Sequence, residues 1–279
     1  MSGFSADWLS LREPADTCAR ADEIRDAAIS VLSGKTHPVI VDLASGTGST
    51  LRALSPHLPK GQSWRLIDHD PALLKRAEAL CANLIDADHL ECLEADLAGN
   101  MDSVLDRAFE GADLVTTSAF LDLVSKPWAE AFLAKLLECG LPFYAALTYD
   151  GRTSCTPVHP LDQQVVDAVN LHQTSDKGFG PALGPHAAEF VLGALRGAGC
   201  QVMDAPSDWT CREEDPIFQS ELVDGWANAA RETEALSPAD LDRWHSFRSQ
   251  AITAKKSQIL VGHVDLFAIP VRMTSRQRV

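Results

Sequence analysis

Two glycines, Gly46 and Gly48, follow the apolar run that begins at Val39, and an aspartate, Asp68, closes the next apolar run 22 residues beyond Gly46. Glycine admits backbone angles closed to other residues and lets N–H groups approach a ligand at the start of a helix. A carboxylate at the end of the following strand can accept hydrogen bonds from both hydroxyls of a ribose. Strand, glycine turn, helix, strand and terminal acid together read as a nucleotide-binding half. A dinucleotide site asks for a third glycine where Leu51 stands, and no Gly-Lys-Ser or Gly-Lys-Thr follows, which excludes a phosphate-binding P-loop.

The same stretch resembles motif I of the class I S-adenosylmethionine-dependent methyltransferases, D-x-[GA]-x-G-x-G, through Asp42, Ala44, Gly46 and Gly48. Asp68-His-Asp-Pro-Ala-Leu-Leu74 is similar to the family's D-x-S-P-x-M-L, Leu93 to Leu97 to the end of its third strand, and Asp113 to Asp122 to its fourth strand and exit. The resemblance implies S-adenosyl-L-methionine as cofactor and S-adenosyl-L-homocysteine as product. It assigns the methionine-side turn to Asp42, Ala44, Gly46 and Gly48, the ribose to Asp68 with His69 beside it, the adenine amino group to Asp96, the adenine ring to Leu97, and the sulfur end to Ser118. It spans residues 39 to 150, and the remainder follows by topology. Each acid taken singly reads as a solvated loop carboxylate, but acids at three successive strand ends form a pattern.

Methyl transfer needs the nucleophile, methyl carbon and sulfur in line and water excluded, a proximity effect. A hydroxyl acceptor also needs a base. Asp122, two residues beyond Phe120 at the fourth-strand exit, is the first candidate, with a helix N-cap as its competing role; His172 and Tyr149 come next. Phe120, Asp150, Gln173 and Lys177 are candidates for acceptor contacts. The stretch from His172 to Pro185 holds Gly178, Gly180, Gly184 and Lys177 and leads into a helix, which reads as an anion pocket or as a plain helix cap. The expected partner is therefore a small molecule, anionic if Lys177 engages it. His263, inside the last strand, reads as structural.

These residues need a frame. Apolar strand patterns at 39 to 44, 64 to 68, 90 to 95, 113 to 118 and 142 to 149 alternate with helical ones, implying right-handed βαβ units and a parallel sheet covered on both faces. A helix over 187 to 199, a strand from Gln201 and a strand over 258 to 270 complete an α/β, Rossmann-like, seven-stranded, mostly parallel sheet with an antiparallel last strand. Residues 1 to 35 read as an N-terminal helical segment, with Asp16 capping a helix that buries Ile24, Ala28, Val31 and Leu32 and stops at Gly34. Residues 36 to 279 form the methyltransferase domain, with lid insertions at 150 to 185 and 210 to 256. The second insertion is helical: Asp215-Pro216 opens one helix carrying Phe218, Leu222 and Trp226, and Ser237-Pro-Ala-Asp240 opens another carrying Leu241, Trp244 and Phe247 or Arg248.

At 279 residues and 46% hydrophobic content the chain can bury one large core. No apolar run approaches the roughly 20 residues of a membrane span, and the first residues lack the layout of a signal peptide. Seven cysteines scattered without C-x-x-C spacing favour neither a disulfide framework nor a zinc site, so a cytoplasmic setting is expected. A net charge of −15 opposes nucleic-acid partners. The expected function is methyl transfer to oxygen or nitrogen of a small metabolite. Its rivals are an NAD(P)-dependent oxidoreductase, opposed by Leu51 and the terminal strand, and a catalytically silent S-adenosylmethionine-binding protein. The oligomeric state stays open.

Overall fold

The structure, a computed structural model, describes residues 4–271. Two helices, α1 (Ala6–Ala19) and α2 (Asp22–Ser30), precede β1 (Val39–Leu43), α3 (Ser49–Leu54), β2 (Ser63–Asp68), α4 (Pro71–Cys81), β3 (Leu90–Glu94), α5 (Met101–Phe109), β4 (Leu114–Ser118), α6 (Lys126–Cys139) and β5 (Phe143–Thr156). Then follow α7 (Asp162–Gln173), α8 (Ala187–Gly197), β6 (Gln201–Pro206), β7 (Trp209–Cys211), α9 (Pro216–Glu232), α10 (Pro238–Thr253) and β8 (Gln258–Ile269).

The sheet runs β3-β2-β1-β4-β5-β8-β6, with β7 paired to β8 off this path. Strands β1 to β5 pair with one another in parallel, and β8 is antiparallel to β5, β6 and β7. The seven-stranded path with an antiparallel insertion near its edge is as expected, and β7 adds a short eighth strand. β1, β2 and β4 are apolar on both faces because helices cover both sides, and Ile40, Val41, Leu66, Ile67, Leu114 and Val115 are buried accordingly. One core lies on the face holding Ile24, Leu32, Trp64, Tyr144 and Trp244; the other gathers Val41, Phe132, Phe143 and Leu195. Strand order reverses between β1 and β4, so their carboxyl ends part and leave a crevice.

Three expectations change in detail. The N-terminal segment is two helices, and Asp16 is no cap: it is buried within α1, where its carboxylate accepts from Arg12 Nε (2.8 Å) and Trp209 Nε1 (2.9 Å). Ser5 caps α1 instead, while α2 does bury Ile24 and Ala28, with Leu32 beyond it, before Gly34. The first insertion opens as strand, because β5 runs past 149 to Thr156 by pairing with β8.

The two helices read in the second insertion are present as α9 and α10, after the short strand β7. Ser237 Oγ accepts the Asp240 N–H (3.1 Å) while donating to its carboxylate (2.6 Å), a reciprocal cap. Trp244 and Arg248, four residues apart, turn inward together. Arg248 is fully buried, donating to the Pro157 carbonyl (2.7 Å) and to the Asp162 carboxylate at the start of α7, which also accepts from Trp244 Nε1 (2.9 Å). This joint fastens α10 to α7. Among the described residues, no helix is long and apolar enough to cross a membrane.

Candidate active site

Two adjoining cavities open at the carboxyl edge of the parallel strands, one of about 780 Å³ and one of about 470 Å³, and they share Arg12, Ala119, Leu123, His172 and Glu232. The first holds Ala44, Gly46, Asp68, His69, Asp96, Leu97, Ser118 and Phe120. The second holds Asp122, Tyr149 and Gln173. Lys177 lies on the first.

Beyond β1 the chain turns through left-handed backbone at Ala44 (φ 51°), Gly46 (φ 53°) and Gly48 (φ 80°). The methyl group of Ala44 is thus more than added bulk: an L-residue in this region is strained by about 1–2 kcal/mol. Asp68 is 5% exposed; its Oδ2 accepts the Gly46 N–H (2.8 Å) and its Oδ1 the Asp70 N–H (3.0 Å). The carboxylate is therefore fixed by the glycine turn on one side and the start of α4 on the other. His69 Nδ1 lies 3.3 Å from Asp68 Oδ1. Asp96 accepts the Ala98 N–H (2.9 Å), and the Leu97 carbonyl accepts Trp128 Nε1–H (2.7 Å), which sets the angle of that wall. Ser118 Oγ accepts from Arg20 (3.3 Å), itself buried beside Tyr144 and Asp265.

Two residues of the motif stand behind the wall. Asp42 is buried and lines neither cavity; its Oδ1 accepts from Thr116 Oγ1 (2.8 Å), tying β1 to β4. Burial raises its pKa from 3.8 to about 6, opposed by the Thr116 hydrogen bond. Gly48 also lines neither cavity; a Cβ there would meet Cys81 Sγ at 3.1 Å and Ala77 Cβ at 3.3 Å, so glycine lets α3 start close against α4.

In the second cavity Asp122 is 7% exposed and its Oδ1 has no partner. Burial raises its pKa to about 6, against the pull of its own backbone N–H and the charges of Arg12 and Lys177. The Tyr149 hydroxyl donates to Asn170 Oδ1 (2.6 Å), and burial pushes its pKa to about 12, which makes it a donor rather than a base. His172 belongs to α7, not to a loop, and its Nε2 sits 3.0 Å from Glu232 Oε2.

The anion pocket does not form. The N–H groups of Gly178 and Gly180 both donate to Asp176 Oδ1 (2.7 and 3.0 Å), so the chain's own carboxylate fills the nest. Lys177 Nζ donates to the His172 carbonyl (3.1 Å) and Ser175 Oγ (3.0 Å), and burial lowers its pKa. Asp150 lines neither cavity either; it accepts from Arg152 Nε (2.6 Å) and the Arg152 N–H (3.0 Å). Phe120 keeps its place, packed edge-on against Trp128 and Phe179 at 5.4 Å each.

The sequence reading missed α1. Leu9 and Arg12 face the first cavity, Trp8 and Arg12 the second. Trp8 and Arg12 stand four apart on one helical face, the spacing that could have pointed to a shared surface. Trp209, Trp226 and His263 also line the second cavity. His263 is buried with Nδ1 3.0 Å from the Val261 carbonyl, and burial lowers its pKa to about 3.

No protein-family model matches the chain, and no curated protein matches it. Solved structures do. A cyclopropane-fatty-acyl-phospholipid synthase-like protein from Lactobacillus casei aligns over 96% of this chain and 95% of its own at 13% identity, with a TM-score of 0.54. A cyclopropane synthase from Mycobacterium tuberculosis aligns over 95% and 94% at 11% identity, TM-score 0.49. A methyltransferase from Thiobacillus denitrificans, solved with S-adenosyl-L-homocysteine, aligns over 95% and 99% at 14% identity, TM-score 0.47. With β8 inserted antiparallel between β5 and β6 of an otherwise parallel sheet, this chain has the fold of the class I S-adenosylmethionine-dependent methyltransferases.

Proposed function

We propose that the protein is an S-adenosylmethionine-dependent methyltransferase that methylates nitrogen or oxygen of a small molecule. The observation that supports this reading is the junction of two cavities, a larger one ending on the buried Asp68 carboxylate and a smaller one holding the unpartnered Asp122. The larger falls in the size range of ligand pockets, and its polar groups match a nucleoside. Asp68 would accept the ribose hydroxyls with His69 beside it, Asp96 the adenine amino group, and Leu73, Ala95 and Leu97 would cover the ring. Gly46 and Ala44 form the turn against the methionine end, and Ser118 the wall near the sulfur. When bound, S-adenosylmethionine supplies an electrophilic methyl group.

The chain's own part is placement and proton handling. Phe120, Trp8 and the rest of the α1 face shield the junction from water, which favours in-line alignment. Asp122, with a pKa near 6, is ionised at neutral pH and can take the proton leaving the acceptor. Tyr149 and Gln173 orient the acceptor, and His172, at both cavities, positions the wall between them. A cytoplasmic setting agrees with Cys81, Cys155 and Cys211, which are buried and unpaired.

Thermal denaturation with S-adenosylmethionine, S-adenosylhomocysteine and NAD tests the reading. A ligand at 100 times its Kd stabilises by about 2.7 kcal/mol. Stabilisation by both sulfur nucleosides and not by NAD is expected; the reverse would support the oxidoreductase. Release of S-adenosylhomocysteine from a metabolite mixture separates an enzyme from a silent binding protein.

A further inference from the structure

The smaller cavity brings several hydrogen-bond acceptors and aromatic faces together, beside the amides of Gln173 and Asn228 and the guanidinium of Arg12. Asp122 is nine-tenths buried, and its Oδ1 lacks a donor. His263 supplies a second acceptor: its Nδ1 faces the Val261 carbonyl, a group that can only accept, so Nδ1 carries the proton and Nε2 presents a lone pair. Glu221 and Glu232 add two carboxylates, the latter shared with His172. Among the described lining residues the one guanidinium, Arg12, pairs through Nε with Asp16 at 2.8 Å and lies over the Trp209 ring at 5.4 Å. Trp8, Trp209, Trp226 and Tyr149 provide π faces, which attract cations.

An anion entering this space would meet the carboxylates of Asp122, Glu221 and Glu232 and the His263 lone pair, and the one guanidinium among the described lining residues, Arg12, is already paired through Nε with Asp16. A donor meets the opposite situation, because a buried acceptor without a partner is a standing cost that an N–H relieves. Resting on the methyltransferase reading, we infer that the acceptor is an amine on an aromatic or aliphatic body, its nitrogen hydrogen-bonded to Asp122 and its body between the indole rings of Trp8, Trp209 and Trp226. The Lys177 ammonium, on the other cavity and engaged by His172 and Ser175, plays no part in this recognition. For transfer, the bound ammonium gives one proton to the Asp122 carboxylate and thence to water. The freed lone pair forms the N–CH3 bond, the C–S bond breaks with its electron pair kept by sulfur, and the products are the methylated ammonium and S-adenosylhomocysteine.

Calorimetric titration of the full chain, saturated with S-adenosylhomocysteine, tests the proposal with matched amine, alcohol and carboxylate probes on indole, phenyl and octyl bodies: tryptamine, tryptophol and indole-3-acetate, and their counterparts. In at least one series the amine should bind about ten-fold or more tighter than the carboxylate, with the alcohol between, a difference of the size given by one cation–π or charged hydrogen-bond contact. Asp122→Asn should remove most of that preference while S-adenosylhomocysteine affinity stays within about two-fold, as a change confined to the acceptor wall predicts. The wild-type series stands alone if the variant fails to fold. Carboxylates binding as well as amines, a preference that survives Asp122→Asn, or no amine binding in any series overturns the amine proposal. Failure of S-adenosylhomocysteine itself to bind would overturn the methyltransferase reading first, and the proposal with it.

Discussion

The larger cavity takes Asp68, Asp96 and Ser118 from at or just beyond the carboxyl ends of β2, β3 and β4, whereas the smaller one, apart from Asp122 at the exit of β4, takes its polar groups from α1, α7 and α9 and from β5, β7 and β8; Arg12, His172 and Glu232 belong to both. In the first, carboxylates are fixed by backbone N–H groups one or two residues from a ladder hydrogen bond, as Asp68 is by Gly46 and Asp70. In the second, most positions depend on side-chain packing between helices, and Asp122 Oδ1 has no hydrogen-bond partner among the described residues. The difference teaches where specificity can vary in this fold. Changes to sheet-end groups disturb the turns that hold the strand ends, while helix-borne walls can be rebuilt with the strand ends unaltered.

The widest separation of the two regions should come from the joint that fastens α10 to α7. Asp162→Ala would leave Arg248 buried and charged without its carboxylate, which destabilises by about 3–5 kcal/mol. Urea unfolding should show that loss, with S-adenosylhomocysteine affinity unchanged in the folded fraction. A loss below about 1 kcal/mol, the value of an exposed pair, would mean the joint does not hold α10 to α7.

Asp122→Asn should act oppositely on stability and turnover. An aspartate whose folded pKa is raised, here from 3.8 to about 6, stabilises the fold fully below its unfolded pKa, and that stabilisation is lost as pH rises through about 6. At neutral pH the ionised group is then a burden of roughly 2–3 kcal/mol. The variant should therefore be the more stable protein at pH 7, match the parent near pH 3, and turn over slowly. Parent activity should climb as pH rises through about 6. Stability curves that stay parallel over this range would show that Asp122 is not a buried charge.

On the nucleoside side, Asp68→Ala should weaken S-adenosylhomocysteine binding by about 1.5–3 kcal/mol, the range for hydrogen bonds to a charged group. Because Asp68 also holds the Gly46 and Asp70 N–H groups, a loss of stability should accompany it, by about 1 kcal/mol for each ordinary bond removed. Calorimetric affinity within two-fold of the parent would take the ribose away from this residue. The smallest effect belongs to Ala44→Gly, which relieves left-handed strain but frees the unfolded chain, for a net gain of about 0.5–1 kcal/mol. A melting temperature that falls in this variant would place the strain elsewhere.

How far these regions could be read from sequence follows from the same contrast. β1, its glycine turn, β2 and Asp68 are contiguous, so spacing alone carried them, and the apolar alternation carried the sheet. Asp16 could not be read correctly: its position before an apolar run resembled a cap, but its carboxylate is claimed by Trp209, 193 residues away. The glycine-rich stretch promised free N–H groups, and nothing in its composition shows that Asp176 turns back to occupy them. Asp150 was misread for a similar reason, since its partner Arg152 lies two residues on and draws it off the crevice. His263 was read as structural; it is buried in β8, but it also lies on a cavity wall, a place that depends on β8 being inserted between β5 and β6.

Arg12 reaches both cavities from one turn of α1, with Trp8 a turn before it facing the acceptor side and Leu9 facing the nucleoside. A helix that walls two ligands at once makes their affinities thermodynamically linked. Whatever factor a bound nucleoside adds to acceptor affinity by settling this helix, the acceptor must return to the nucleoside in equal measure. Titrations run in the two orders should therefore close the same cycle, and a coupling that disappears when Trp8 is replaced by alanine would locate the linkage in the helix.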